Sequence, residues 1–320
     1  MASAPVVIWM RARQPLPVVC TLLLLLVGAG RADERVPLRQ VLDRAAQAAG
    51  RFGTALQGVV AREQYTQTIR PWEGAPPDGP AAGAAIETRR LVSSLLLVHD
   101  PATPWQLHRD VLAVDGVAVA GRDGRLARLF AEPGVDARTR LRQITDDSAR
   151  FNIGHVTRNI NIPTFPLLVV HEAYRHRFRF RDRGTRREDG IDVRIVAFTE
   201  RDRPRVVRGQ HGRDVVLEGE LVIEEATGEL VRASVAPRAG GLRSQLAVWF
   251  DRVGDLPARV PVRLWEWYWI GDVPERDRYV EGEAVYDEFR RYATSVDVPR
   301  SGALPGRGAS HSAPHVAHAH

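Results

Sequence analysis

Residues 260–269 read VPVRLWEWYW, a run in which tryptophan occupies every second position from 265 to 269. A period of two is typical of a β-strand, because successive side chains on a strand point to opposite faces. The spacing therefore predicts that Trp265, Trp267 and Trp269 share one face of a strand. Trp249 falls on a neighbouring predicted strand.

The same period extends from this strand in both directions along the chain. Turn signals such as Asp189-Gly190, Thr227-Gly228 and Gly240-Gly241 separate the alternating runs. Strands joined by short turns favour an antiparallel meander. The predicted strands cover residues 59–69, 89–99, 105–114, 191–200, 215–224, 230–236, 242–250, 260–269 and 278–286, with a further strand at the alternating Phe178 and Phe180.

Three segments carry helical patterns instead. Residues 37–52 form an amphipathic helix, residues 123–150 a helical insertion, and Leu167–Tyr174 a short apolar helix. A sheet of about nine to eleven strands must curl or close. The sequence therefore predicts an α+β fold, in which a large curved antiparallel sheet, a half-barrel, carries several helices against its concave face.

The amino-terminal segment has the layout of a secretory signal peptide. Arg11 and Arg13 precede a ten-residue apolar core from Val18 to Val27, and small residues then allow cleavage after Ala29 or Ala32. A membrane anchor would need roughly 18 to 20 apolar residues. We therefore predict an exported protein, periplasmic or secreted, with no transmembrane span after processing.

Cleavage sets the predicted domain organisation. Residues 1–32 are the signal peptide, residues 33–299 a single half-barrel domain, and residues 300–320 a disordered tail that contains histidine. Cys20 is the only cysteine, so the mature chain has no disulfide and no cysteine metal site.

The net charge of the exported chain limits the classes of partner that we expect. The formal charge of +6 falls to +3 when Arg11, Arg13 and Arg31 are removed, since no acidic residue accompanies them. Export and this small excess argue against nucleic acid as a partner. The predicted partners are a lipid, an acylated protein or another protein of the envelope.

Aromatic residues provide the candidate ligand-binding positions. Aromatic residues at a period of two form the core face of a sheet, an apolar cavity for a lipid or acyl chain, or a strip on which carbohydrate stacks. These three interpretations stay open at the level of the sequence. The candidates are Trp249, Trp265, Trp267 and Trp269, with Phe178 and Phe180 if their face is the inner one.

No arrangement of residues predicts catalysis or a cofactor. His171-Glu172 and His176 resemble a zinc-protease helix, but the second histidine comes one residue too late. Glu218, Glu220 and Glu224 alternate along one strand, as is typical of acidic side chains on the solvent-exposed face of a sheet. A hydrolase would need a histidine such as His155 or His171 beside an acid and a nucleophile.

Four histidines in the tail are weak candidates for metal binding. Imidazole groups at this density can chelate zinc, nickel or copper. We predict no metal site in the folded domain. The tail positions are His311, His315, His318 and His320.

The order of the predicted elements resembles the periplasmic lipoprotein-sorting carriers and the sensor domains that share their half-barrel. The matching stretches are the helix from Leu38 to Phe52, the strand pair from Arg89 to Val114 ending in VDG at Val114–Gly116, and the later meander. The chain also resembles a family of uncharacterised secreted bacterial proteins. The insertion at 123–150 and the segment FNIGHVTRNINIPTF at 151–165 depart from the carrier pattern.

The resemblance implies carriage of an acyl chain, and three hypotheses follow. The first is non-catalytic binding of a lipid or acylated protein in the half-barrel. The second is a protein-interaction scaffold with a filled core, which a helix plugging the concave face and the lack of a pocket above about 300 Å³ would favour. The third is a hydrolase without a recognisable motif.

Overall fold

Eleven β-strands follow one another in a single antiparallel sheet in the computed structural model of the chain. The structure describes residues 35–291 apart from 75–76, 78, 82, 101–102, 123–124, 126–136, 155–161, 209–213 and 272–276. The strand number and the open antiparallel sheet confirm the predicted α+β half-barrel. The predicted signal peptide and tail lie outside the described residues.

The strands agree closely with those predicted from the period of two, and most are one to three residues longer. The helices are α1 (Leu38–Ala55), α2 (Ala137–Ala149), α3 (Leu167–Val170) and α4 (Glu172–Arg175). The strands are β1 (Val59–Pro71), β2 (Glu87–Asp100), β3 (Thr103–Val114), β4 (Val117–Ala118), β5 (Phe178–Glu188), β6 (Ile191–Glu200), β7 (Val207–Arg208), β8 (Asp214–Glu224), β9 (Leu230–Ala239), β10 (Leu242–Asp251), β11 (Val260–Ile270) and β12 (Arg278–Arg291).

The sheet consists of two meanders joined by one long-range pairing. The strand order is β4-β3-β2-β1-β12-β11-β10-β9-β8-β6-β5, and the short β7 pairs with β8 beside this path. Strand β1 pairs antiparallel with β12, so that Tyr65 lies opposite Ala284. This pairing brings the amino-terminal strands beside the carboxy-terminal ones.

Helix α1 covers the inner face of the sheet because its apolar residues recur on one side. Val41, Ala45, Ala49 and Phe52 are buried, and all four belong to the main hydrophobic core. Alternate residues of the strands, such as Leu246, join the same core. The predicted packing of a helix against the concave face is confirmed for α1.

Polar contacts hold the first half of α1 in place. The guanidinium of Arg44 donates to the carbonyl oxygen of Glu225 at 2.6 Å, in the turn between β8 and β9. Gly228 in that turn has φ +77°, and a Cβ there would overlap the backbone carbonyl group of Arg44. The turn can therefore approach the helix backbone this closely only with glycine.

Helix α2 lies on the opposite side of the sheet from α1. The Ser148 hydroxyl donates to the backbone oxygen of Arg109 at 2.5 Å, and Leu141 forms a backbone hydrogen bond with His108. The His108 side chain points away from the inner face, because it alternates along β3 with that of Arg109. The insertion predicted at 123–150 thus adds a layer outside the sheet.

The predicted helix over Leu167–Tyr174 is divided in two. His171 has extended backbone angles (φ −61°, ψ 139°) and ends α3, and its Nδ1 accepts a hydrogen bond from the backbone N–H of Ala173. A side-chain acceptor at this position caps the new helix α4. Among the helices that the structure describes, none has the length and apolarity needed to cross a membrane.

Candidate functional site

An apolar cleft lies where the carboxy-terminal end of α1 meets the sheet. The cleft encloses about 400 Å³ of empty space, including its open mouth. Its walls come from α1, strands β1, β2, β3, β11 and β12, and a short segment at 163–164. The lining residues are Phe52, Leu56, Val59, Ala61, Leu95, Leu107, Pro163, Thr164, Val260, Pro261, Tyr286 and Phe289.

Local sequence signals build two parts of the cleft wall. Gly58 has φ +73°, and this left-handed conformation turns the chain from α1 into β1. The second wall is a turn, in which the N–H of Leu167 donates to the carbonyl oxygen of Thr164 at 3.0 Å. Pro163 and Thr164 in this turn therefore face the end of α1 across the cleft.

A buried polar network adjoins the cleft on the inner face of the sheet. Arg109 donates two hydrogen bonds to Glu63, from Nε to Oε2 at 2.6 Å and from Nη2 to Oε1 at 2.8 Å. Glu63 is fully buried, whereas Arg109 is 15% exposed. Burial opposes the charge of Arg109, but the Glu63 carboxylate outweighs this effect and raises the pKa of Arg109.

A second carboxylate completes the network. Glu266 accepts hydrogen bonds from the hydroxyls of Tyr65 and Tyr268, the latter at 2.7 Å. Gly282 makes room for this arrangement, because a Cβ there would lie 2.6 Å from the Tyr65 hydroxyl and 2.8 Å from Glu266 Oε1. Both carboxylates of the network therefore accept hydrogen bonds, Glu63 from a guanidinium and Glu266 from two hydroxyls.

The sheet register connects the network to the cleft. Glu63 lies opposite Tyr286 in the pairing of β1 with β12, and Arg109 lies opposite Leu95 in the pairing of β2 with β3. Tyr286 and Leu95 both line the cleft. The apolar walls and the buried charges are therefore direct cross-strand neighbours.

Two hydroxyls in the cleft lining are buried and unpaired. The hydroxyls of Tyr286 and Thr164 have no hydrogen-bond partner among the residues that the structure describes. The two residues are only 4% and 2% exposed. Burial first, and the nearby Glu63 carboxylate second, raise the pKa of Tyr286 well above 10, so its hydroxyl stays protonated near neutral pH.

The predicted tryptophans form a cluster of their own on the other face of the sheet. Trp265 and Trp267 are buried in this cluster, whereas Leu264 and Tyr268, which alternate with them along β11, belong to the main core. Trp249 and Trp269 pack against the cluster, together with Trp72. The structure thus brings the four predicted tryptophans together, but away from the cleft. Their role in ligand binding stays a prediction.

Contacts within the tryptophan cluster are those of a packed aromatic layer. Trp72 stacks on Trp269 with ring centroids 5.0 Å apart, and the Arg243 guanidinium lies 5.3 Å from the Trp269 ring. Trp265 Nε1 donates to Glu281 at 2.9 Å. Of the three interpretations that the sequence leaves open for this face, these contacts favour packing.

The remaining predicted positions take other places. Phe178 is buried in the main core, 5.7 Å from the ring of Phe198, and Phe180 packs against the same core. Their face is thus the inner one, but neither residue lines the cleft. His155 and the tail histidines lie outside the described residues.

Within the described part of the chain, no group of three or more histidine, cysteine, aspartate or glutamate side chains is arranged to hold a metal ion. Sequence analysis did not single out the residues that line the cleft. Tyr286 carries the period-two signal of a buried strand, but its missing hydrogen bond depends on side chains far away in the sequence.

Comparison with known proteins found similar solved structures at low sequence identity. No protein-family model and no curated protein matches the sequence. Similar crystal structures include a LolA superfamily protein from Nitrosomonas europaea (12% identity, TM-score 0.32) and a DUF1329 family protein from Desulfovibrio piger (11%, 0.30). Each match covers 81% of this chain and 95% of the other.

A third similar structure is a domain from Vibrio parahaemolyticus named for outer membrane lipoprotein sorting. It is 9% identical, with a TM-score of 0.33, and the match covers 80% of this chain and 95% of that one. The names of this structure and of the Nitrosomonas europaea one are those of the group of proteins that the sequence resembles.

Proposed function

We propose that the chain is a non-catalytic binding protein of the bacterial envelope that holds an acyl chain in the cleft. The observation that carries this proposal is the lining of the cleft, whose exposed surface is almost entirely apolar. Ligand pockets are lined mainly by apolar and aromatic side chains in the same way. The envelope location rests on the predicted signal peptide.

Burial of an alkyl chain supplies the affinity in this proposal. Each methylene that the cleft buries contributes about 0.8 kcal/mol before the cost of association. Leu56, Leu95 and Phe289 provide apolar contacts for such a chain. The polar side chains next to the cleft are hydrogen-bonded to one another. The alkyl chain therefore contacts the apolar walls.

Binding of N-phenyl-1-naphthylamine, an apolar fluorescent probe, tests the proposal on the full chain. Ala61 lines the cleft, so the substitution Ala61→Leu fills part of it. We expect the probe to bind the unchanged protein with micromolar affinity and the A61L variant at least fivefold more weakly. The matched control is Ala236→Leu, at a half-buried position of β9 that is not part of the lining.

A protein-interaction scaffold is the second candidate function. It is favoured by the way α1 closes over the inner face, where Val41 and Ala45 are almost fully buried. A scaffold of this kind would bind no probe, and A61L would then change only the stability. Equal probe binding by A61L and the unchanged protein would also contradict the cleft as the binding site.

A further inference from the structure

The outer face of strands β9, β10 and β11 carries arginines beside half-buried tryptophans. Trp249 lies opposite Arg232 of β9 and Arg263 of β11, so both arginines are its direct cross-strand neighbours. In the same way, Arg243 of β10 lies opposite Trp269 of β11. The sheet thus presents cations and indole rings together on one surface, on the side away from α1 and the cleft.

Two of these arginines are free cations. Arg232 is half-buried and Arg243 exposed, and neither forms a hydrogen bond or an ion pair within the part of the chain that the structure describes. Arg263 has a loose contact, from Nη2 to Glu283 Oε2 at 3.5 Å, and the two side chains are 46% and 42% exposed. Such an exposed pair is weak in water. An anion that reaches this surface therefore finds guanidinium groups available to bind it.

The carboxylates on the strands that flank this surface do not neutralise the free cations. Glu218 of β8 accepts a hydrogen bond from Arg238. Glu281 of β12 is 2% exposed and accepts from Trp265 Nε1 at 2.9 Å. Glu220 of β8 is half-buried, and its cross-strand neighbour on β9 is a serine. Charge complementarity therefore favours an anionic partner for this face.

Contacts of the tryptophan rings indicate which kind of anionic partner fits. The Arg263 guanidinium lies 5.0 Å from the centre of the Trp249 ring, and that of Arg243 lies 5.3 Å from the Trp269 ring. Trp72 also stacks on Trp269, with ring centroids 5.0 Å apart. These contacts take up ring faces on which a sugar would stack. Indole rings next to guanidinium groups suit the head-group region of a bilayer, where tryptophan is enriched and arginine reaches toward water.

We infer that the outer face of β9–β11 binds the surface of an anionic phospholipid bilayer, with Arg232 and Arg243 on lipid phosphates and the Trp249 ring at the level of the head groups. A guanidinium suits a phosphate because it can donate two parallel hydrogen bonds to it. The predicted export would bring the chain to the membranes of the envelope. This surface lies on the other side of the sheet from the cleft, so the inference does not depend on the proposed function.

Sedimentation of the full chain with lipid vesicles tests the inference. One set of vesicles consists of phosphatidylcholine alone, and the other contains an equal amount of phosphatidylglycerol. We expect at least about tenfold tighter binding to the anionic vesicles. Because each basic residue near an anionic surface contributes about fivefold in affinity, the double variant R232Q/R243Q should weaken this binding about twentyfold.

The matched control is R39Q/R51Q, which removes the same charge from two exposed positions of α1, on the opposite side of the sheet. We expect this variant to bind the anionic vesicles as the unchanged chain does. The A61L variant, altered in the cleft, should also bind them unchanged. Thermal unfolding should give the same midpoint for R232Q/R243Q as for the unchanged chain, because neither arginine has a polar partner to lose.

Quenching by brominated lipid tests the position of Trp249. Phosphatidylglycerol with brominated acyl chains quenches indole fluorescence at short range. We expect vesicles of this lipid to quench the fluorescence of the unchanged chain, and to quench that of W249F clearly less. The phenylalanine keeps an aromatic ring in the packed layer.

Each other outcome overturns the inference. Equal binding to both kinds of vesicle, or an equal loss of affinity in R39Q/R51Q, would show that this face recognises no anionic bilayer. Displacement from the vesicles by soluble polyglutamate at an equal concentration of charge would identify the partner as an acidic polypeptide instead. Loss of vesicle binding in A61L would assign the binding to the cleft, and quenching that W249F leaves unchanged would place another part of the chain at the bilayer.

Discussion

At the residue scale, Glu63 and Arg109 form a buried ion pair. The guanidinium is held in two hydrogen bonds and also lies 5.4 Å from the centre of the Tyr65 ring. Because Glu63 is fully buried, removing its partner leaves a carboxylate away from water. Breaking such a pair from one side is far more costly than replacing both partners.

We therefore predict that Arg109→Met lowers the free energy of unfolding by about 3–5 kcal/mol. The double variant E63M/R109M should recover most of that loss, since neither charge is then buried alone. Urea unfolding followed by circular dichroism measures both values. A loss below about 1 kcal/mol in the single variant would show that the pair does not stabilise the fold.

His108 gives the folded chain a pH dependence. Burial lowers the pKa of His108 from 6.5 to about 4, against the opposing effect of the backbone hydrogen bond with Leu141. The unfolded chain takes up this proton near pH 6.5, whereas the folded chain takes it up only near pH 4. Stability present above pH 6.5 is therefore lost as the pH falls toward 4, by about 3 kcal/mol.

The substitution His108→Gln isolates this effect from the titration of other groups. We expect the unchanged chain to lose about 3 kcal/mol more than H108Q between pH 7 and pH 4, measured from urea unfolding at each pH. The difference between the two proteins cancels contributions that they share. Parallel curves for the two proteins across this range would contradict the assignment.

At the scale of secondary-structure elements, the close contact between helix α1 and the β8–β9 turn depends on one glycine. Gly228 combines a positive φ with close contact to the backbone of Arg44. Gly190, in the β5–β6 turn, has φ +84°, but a Cβ at this position would have no atom within 4 Å. The two glycines therefore differ in contact and not in backbone conformation.

We predict that Gly190→Ala costs about 1–2 kcal/mol, from backbone strain alone. Gly228→Ala should cost a further 1–3 kcal/mol or so, because α1 must move to admit the methyl group. Thermal and urea unfolding of both variants provide the comparison. Equal losses would show that α1 does not depend on the close approach of this turn.

The tryptophan cluster is a packing element of the outer face. Trp267 is 4% exposed, and a large buried aromatic truncated to alanine typically costs about 3–5 kcal/mol. We predict a loss of this size for Trp267→Ala and a smaller one for Trp249→Ala, whose ring is only half-buried. Loss of ligand binding with unchanged stability would instead make this face the ligand site.

The elements were more predictable than the faces they use. Turns such as Asp189-Gly190 and the period of two located the strands, because both signals are local. The pattern of Trp265, Trp267 and Trp269 fixed a shared face without showing which face, since β11 is buried on both sides by different layers. His171 interrupts a predicted helix through a backbone conformation that the apolar pattern does not report.

The cleft belongs to the scale of the whole molecule and could not be predicted from the sequence. Its lining joins Phe52 of α1 with Tyr286 of β12 only because β1 pairs with β12 across more than 200 residues. The period-two pattern predicts that both Ala284 and Tyr286 are buried, and it does not distinguish the one that lines the cleft. Only the register with β1 places Tyr286 beside Glu63 in the wall of the cleft.

The edges of the sheet disfavour pairing with other sheets. One edge, β4, is only two residues long, and the other, β5, carries arginine at positions such as 179, 181 and 183. Short and charged edge strands disfavour pairing with another sheet.

Mass spectrometry of lipid extracted from the full chain, produced in a bacterium and purified without detergent, asks directly whether the cleft holds an acyl chain. We expect close to one acylated molecule per folded protein, and clearly less from the A61L variant prepared in the same way. A stably folded protein that carries no acylated compound would show that the cleft is not an acyl-binding site.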